Sequence, residues 1–393
     1  MYSLLLALIY LAFVSLGLPD SILGSVWPVL HVSFDVPLSY AGIVTMSVSV
    51  FTILSSLLSN RVTHRFGTGP VTVASVLLTV VGLFGYSFSV SFPMMLVFTV
   101  PYGLGAGAID AALNNYVALH YSSRHMSWLH CFWGVGTVIS PYIISYAIGK
   151  AHSWAIGYRA VGFLQLGIAA VLFFSLPLWK RVERRRAGSG EEQLGEPPSM
   201  RQVLRIPGVW QTLVGFFGYC SLESVIMLWT SSFFSEVYAL PSEKAAAFGS
   251  LVYIGITVGR FLCGFVADRL GDRRLIRFGL CTVGVGILLL AMPLADWHCA
   301  FVGFIVAGFG CAPVYPAIMH ATPARFGKTN SQAIIGLQMA FAYTGNTLMP
   351  LLSGAVLGRI DLRVLPVFLL LFGGLCFGMT EAVNRIDRKK GVH

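Results

Sequence analysis

Three carboxyl side chains lie inside long apolar stretches of this 393-residue chain: Asp20 in "GLPDSILGSVWP", Asp110 in "GLGAGAIDAALNN" and Glu223 in "GYCSLESVIMLW". An ionisable group inside a bilayer is costly and by default points to function. Such a carboxyl can hold a proton or a sodium ion reversibly, and it can accept hydrogen bonds from a polar solute. Asp20 and Trp27 are seven residues apart and so lie on one helical face, a carboxyl beside an aromatic wall, with Gly24 between them. The rival reading is a structural cap or an interhelical bond at the irregularity made by Pro19. Asp110 has Asn114 four residues on, with Asn115 beside it. An acid and an amide on one face can bond sugar hydroxyls, or can cement two helices. Glu223 has Tyr219 four residues before it, with Thr230 and Trp229 near, a grouping that marks a wet cavity. Arg260 ends the run "YIGITVGR" and requires an anion. Glu223 is its nearest candidate by helix order. If the two form a structural pair, Glu223 stays charged and does not carry a coupling proton.

Further polar residues sit in apolar surroundings. His130 begins a face with Gly134, Thr137 and Pro141, as a ligand, a proton relay or a satisfied polar residue near a helix end. Gln338 and Asn346 can hydrogen-bond hydroxyls. Trp27, Trp133 and Trp229 each neighbour a polar intramembrane residue. Sugar rings stack their C–H faces on such surfaces, although many aromatics in a membrane chain simply pack or belt the interface.

The elements that must position these groups follow from composition. Hydrophobic residues make up 56% of the chain and charged residues 11%, against roughly 25% charged in soluble domains. A spanning helix needs about 20 apolar residues, and only helices or closed barrels satisfy their backbone in lipid. The apolar runs are continuous rather than alternating, so the fold class is all-α membrane protein, with spans near 4–30, 40–60, 69–91, 93–118, 126–149, 157–179, 208–235, 245–267, 275–295, 298–322, 331–356 and 363–384. The stretch from Tyr2 to Phe13 reads as a retained first helix rather than a signal peptide, since no basic region precedes it. Alternate connections hold 20 of the 26 Lys and Arg residues. The positive-inside rule places that set, and both termini, in the cytoplasm of a plasma (bacterial inner) membrane. The formal charge of +10 is thus a topology signal and not a nucleic-acid patch. The seven cysteines lie in or beside apolar runs without a CxxC pair and read as small hydrophobes.

The polar stretch "KRVERRRAGSGEEQLGEPPSMRQVLR" divides the chain into an N-terminal six-helix bundle (1–179), a cytoplasmic linker (180–207) and a C-terminal six-helix bundle with a short basic tail (208–393). The halves echo each other. "NRVTHRFGTGP" and "GFVADRLGDRR" align at an offset that maps Arg65 to Arg269 and Gly67 to Gly271. Glu223 answers Asp20, and "GVGTVISP" resembles "AYTGNTLMP". Repeated halves of this kind suggest two pseudo-symmetric bundles around a central site.

At these motifs the chain resembles the major facilitator superfamily. Gly264, Asp268, Arg269, Gly271, Arg273 and Arg274 match that family's G-x-x-x-D-R-x-G-R-R loop. The resemblance implies a cytoplasmic gate at this loop, with Arg65 in the other copy. There, His64 replaces the aspartate and Asn60 the leading glycine, which implies an asymmetric gate. A narrower resemblance is to fucose-permease-like sugar/proton symporters and their sodium-coupled glucose-transporter relatives, through "LPDSIL", "GAIDAALNNYV", "GYCSLESVIMLW", "WLHCFWGVGTVISP" and "APVYP". It implies Asp110 as the coupling acid.

No Walker loop, HExxH, GxSxG or metal-type cysteine spacing occurs in the sequence. The expectation is therefore no enzyme and no metal or cofactor. It is a secondary transporter, moving a sugar or similar solute by alternating access, with the coupling ion a proton or else sodium. Asp20, Asp110 and Glu223 are its coupling-ion candidates. Asp20, Trp27, Asn114, Asn115, His130, Trp133, Tyr219, Glu223, Trp229, Gln338 and Asn346 are its substrate-site candidates. The expected partners are the small solute and the lipid bilayer, with the protein acting as a monomer. A drug/proton exporter of the same fold and a non-transporting membrane sensor are the alternatives.

Overall fold

The structure, a computed structural model, describes residues 2–188, 198–292 and 297–389. The expected linker therefore falls partly outside the described residues. Every regular element among the described residues is helical. Eleven helical stretches are long and apolar enough to cross a membrane. The remaining span of the expected architecture, the eleventh (331–356), falls on Lys328–Leu357, which is 30 residues long but carries Gln332, Gln338, Asn346 and several hydroxyls, which lower its hydropathy without shortening it.

The chain packs as two compact units. The first comprises Met1–Tyr116 and Leu129–Pro198. Its helices are α1 (Tyr2–Asp20), α2 (Ile22–Ser33), α3 (Ala41–Phe66), α4 (Thr68–Phe88), α5 (Phe92–His120), α6 (Ser123–Ala151), α7 (Trp154–Phe174) and α8 (Leu176–Gly188). The expected first span is thus two helices broken at Ser21. Pro19 removes a main-chain donor there, and the Ser21 hydroxyl donates to the Thr137 carbonyl of α6 at 2.7 Å. The same two segments cross at glycine. A Cβ on Gly17 would strike the Trp133 carbonyl, and one on Gly136 would strike the Val14 carbonyl. Small residues admit such backbone approach where lipid supplies no hydrophobic drive between helices. The Ser140 hydroxyl donates to the Leu18 carbonyl at this crossing. Gln165 of α7 ties the unit further. Its Nε2 donates to the Ser15 carbonyl at 2.5 Å, and its Oε1 accepts from Thr79 at 2.7 Å.

The second unit comprises Val117–Trp128 and Ser199–His393. The turn between α5 and α6 thus belongs with the later helices. These are α9 (Met200–Val203), α10 (Val209–Val237), α11 (Ser242–Leu270), α12 (Asp272–Ala291), α13 (Trp297–Cys311), α14 (Val314–Phe326), α15 (Lys328–Leu357) and α16 (Leu365–Lys389). Helix α10 packs on both α15 and α16, and α12 on α13. The α11–α12 turn is made by Gly271, at φ 75°, whose N–H closes α11 by donating to the Ala267 carbonyl at 2.9 Å. Only glycine takes that backbone conformation without strain. Gly67 at φ 83° repeats the device in the first unit. The run "RFGK" places Gly327 at φ 87° as a third copy, before α15. Helices α13 and α14 are separated at Ala312 and Pro313. The Cys311 carbonyl, at the end of α13, accepts from the Tyr219 hydroxyl at 2.8 Å.

Candidate functional site

In the first unit, the break at Ser21 leaves Asp20 at the end of α1, with its side chain exposed. Its two oxygens are held by different helices. The Trp133 indole of α6 donates to Oδ2 at 2.8 Å, and the Tyr102 hydroxyl of α5 donates to Oδ1 at 3.3 Å. The glycine crossing that brings α6 against α1 is what sets Trp133 there. Trp27 is elsewhere. Beyond the break at Ser21 its partners differ from those of Asp20. It is buried in α2, its indole donating to the Leu38 carbonyl at 2.7 Å and its ring against Phe92.

Deeper in the same unit lies a polar chain. Asp110 is 6% exposed, Asn114 0% and His130 5%. The Asn114 amide donates to Asp110 Oδ1 at 2.7 Å and to the Asp110 carbonyl at 3.0 Å. With its nitrogen so engaged, Asn114 presents its oxygen to His130 Nε2 at 3.0 Å, so Nε2 carries the hydrogen. Phe13 meets the imidazole edge-on at 5.5 Å. Asn115 is buried beside this chain in sequence. The spacing of four between Asp110 and Asn114 was legible, but its joining to His130 required the packing of α5 on α6.

In the second unit, Arg260 and Glu223 form a buried ion pair, Nη2 to Oε1 at 2.7 Å. The guanidinium also lies 5.9 Å from the centre of the Tyr315 ring. Tyr219 is fully buried, its hydroxyl donating to the Cys311 carbonyl at the α13–α14 break and also interacting with Arg260. Trp229 is half-buried, donates to the Pro350 carbonyl at 3.3 Å and packs against Gly354, joining α10 to α15. Gln338 is buried, its oxygen accepting from Thr322 at 3.1 Å while its amide nitrogen makes no hydrogen bond. Asn346 stands exposed, two turns further along the same helix.

The Arg-rich turn is heavily bonded within the second unit. Asp268 accepts from the Ser122 hydroxyl at 3.0 Å and from the Arg124 main-chain N–H at 3.0 Å, and Arg124 Nη2 lies 2.7 Å away. Gly264 is a contact surface: a Cβ there would strike the Trp128 indole. Arg273 reaches Asp387 of α16 at 3.7 Å, whereas Arg269 and Arg274 are exposed. Arg65, in the first unit, is exposed and lies near Phe66. Sequence reasoning passed over Arg124, Asp272 and His320, which join this cluster, and the bidentate pair Arg277–Glu381 at 2.6 and 2.7 Å. A histidine and an acid in otherwise apolar runs were the available signals.

Helices of spanning length, repeated Gly turns and charges paired within the spans define a polytopic membrane protein. The chain belongs to the Major Facilitator Superfamily, whose family model matches residues 9–261 and 242–390. Bypass of stop codon protein 6 of Saccharomyces cerevisiae is 22% identical over 90% of this chain and 77% of its own length. A cis,cis-muconate transport protein of Acinetobacter baylyi is 24% identical over 57% of this chain and 56% of its own. The membrane sensor protein UhpC of Salmonella typhimurium is 23% identical over 78% and 72%. Among solved structures, the proton:xylose symporter XylE superposes with a TM-score of 0.76 over 96% of this chain and 94% of its own, at 13% identity. FucP in its outward conformation does so at 0.76 over 96% and 98%, at 11% identity. At such identities the likeness is one of fold.

Proposed function

We propose that this transporter takes up a monosaccharide or similar polyhydroxylated solute together with a proton, by alternating access. The observation that carries the reading is Asp20, an exposed carboxylate held at both oxygens by the Trp133 indole and the Tyr102 hydroxyl. Each donor uses one lone-pair site, so both oxygens keep acceptor capacity for solute hydroxyls. Trp133, half-buried, offers a ring face for stacking. Asn115, in the same unit, would supply a further hydrogen bond.

Asp110 holds the coupling proton in this reading. Its burial with Asn114 and His130 supports a role apart from direct solute contact. A bare charge in a low-dielectric interior is expensive, so protonation of Asp110 lets the loaded carrier close, while the empty, charged carrier reorients poorly. Glu223 is paired with Arg260 and takes no part in coupling in this reading. In this reading both termini face the cytoplasm, as the basic connections favour, with the Asp268 turn as a gate on that side. No resident cofactor enters the scheme.

An exposed acid between aromatic rings also suits an organic cation, which makes a proton-driven exporter the second reading. Uptake by purified protein in liposomes separates the two. Accumulation of a sugar under an inward pH gradient, collapsed by an uncoupler, is the expected result. Accumulation under a sodium gradient alone reassigns the ion. No response to any sugar under either gradient, with pH-driven efflux of an apolar cation, overturns the importer.

A further inference from the structure

Apart from the mid-span acids, one titratable cluster is bonded in a way that fixes its proton count. It lies within the second unit, where α12 and α14 meet the turn that precedes α6. His320 Nδ1 is 2.7 Å from Asp272 Oδ2, and Nε2 is 3.0 Å from the Tyr121 carbonyl oxygen. Asp272 Oδ1 accepts from the Ser123 hydroxyl at 2.6 Å. A carbonyl oxygen can only accept, so Nε2 carries a hydrogen. An ionised carboxylate can only accept, so Nδ1 carries one as well, unless the proton sits on Asp272 and is donated back to Nδ1. Either way the pair holds one proton more than a neutral imidazole beside a carboxylate. A ring with a single hydrogen on Nε2 would set two lone pairs against each other at 2.7 Å.

We propose that His320 and Asp272 form a proton-binding site separate from Asp20 and Asp110, and that the bound proton fastens the Tyr121–Ser123 turn to α12 and α14. Three chain segments meet at this proton: α14 brings the imidazole, α12 the carboxylate, and the turn a carbonyl and a hydroxyl. The other charges facing the ring are spoken for. Asp268 of α11 acts on the imidazole but is bonded by Arg124 and Ser122 of the turn. Arg273 of α12 and Arg325 of α14 turn to Asp387 of α16, at 3.7 and 3.5 Å. His125, on α6, packs edge-on against the Tyr121 ring at 5.7 Å. Loss of the proton leaves an imidazole able to make only one of its two bonds. The Asp268 bonds persist, so the turn is loosened rather than released. The turn is therefore held more tightly in acid and less tightly as pH rises through the titration of the pair, whatever solute the protein carries.

The test is hydrogen exchange of the full-length protein in detergent, read on peptides covering Tyr121–Arg124, between about pH 5 and about pH 9 and corrected for intrinsic exchange. Protection in the unsubstituted protein should fall about tenfold across the range, the size of one hydrogen bond to a charged group. H320Q should show low protection without that pH dependence, while H125Q should retain it. D272N, which keeps the imidazole but removes its anion, should also lose the dependence and serves if H320Q does not fold. Protection that is flat with pH in the unsubstituted protein overturns the proposal. So does an unchanged pH dependence in H320Q or D272N.

Discussion

At the scale of single residues, the three intramembrane acids have three different surroundings, and their substitutions should separate accordingly. Asp110→Asn keeps a hydrogen-bonding partner for Asn114 but cannot ionise, so it should abolish pH-driven accumulation while sparing exchange of solute across proteoliposomes. Intact accumulation would remove Asp110 from the coupling role. Trp133→Phe deletes the indole donor that holds Asp20 at 2.8 Å. One hydrogen bond to a charged group is worth about 1.5–3 kcal/mol, so KM for the solute should rise by roughly tenfold or more, with the change read in uptake kinetics. Glu223 and Arg260 predict a stability effect instead. Removing one member strands the other charge, at about 3–5 kcal/mol, whereas removing both can be nearly neutral. Arg260→Gln should thus lower the melting temperature strongly, and Glu223→Gln/Arg260→Gln should recover most of it. Asp110 with Asn114 was readable from spacing alone, because four residues on a helix are always neighbours. The Asp20 partners were not, because Trp133 and Tyr102 arrive from two other helices.

At the scale of elements, the apolar runs located the spans, but two breaks inside them altered what the spans hold. Pro19 and Ser21 split the first run into α1 and α2, with Asp20 at the end of one and Trp27 within the other. Trp27 packs beside Leu38 while Asp20 faces α5 and α6. The α1–α6 crossing makes a sharp prediction. Gly17→Ala puts a methyl group into the Trp133 carbonyl, an overpacking that costs about 1–3 kcal/mol. It should displace Trp133 from Asp20 and depress uptake more than it depresses the yield of folded protein, whereas alanine at Gly24, which meets nothing within 4 Å, should be silent. Parallel measurements of uptake and thermal stability check both.

At the scale of the whole molecule, the distribution of basic residues predicts that fluorescent-protein fusions at either terminus fluoresce and that a periplasm-dependent phosphatase fused at the C-terminus is inactive. The reverse pattern would invert the topology. The sequence by itself determined the helical class, the places of the spans, the repeated Arg-Gly turns and the acids worth watching. Each of these depends on local quantities: hydropathy over about 20 residues, a period of 3.6, and glycine's access to positive φ. The tertiary structure decided which polar groups meet across different helices. It chose the Glu223–Arg260 pair that the sequence had offered as one of two readings, drew His130 onto Asn114, gave Asp20 its indole, and grouped residues 117–128 with the later helices through Asp268, Asp272 and His320. Such bonds join residues tens to hundreds of positions apart. Their partners are set by helix packing, on which neither local period nor composition bears.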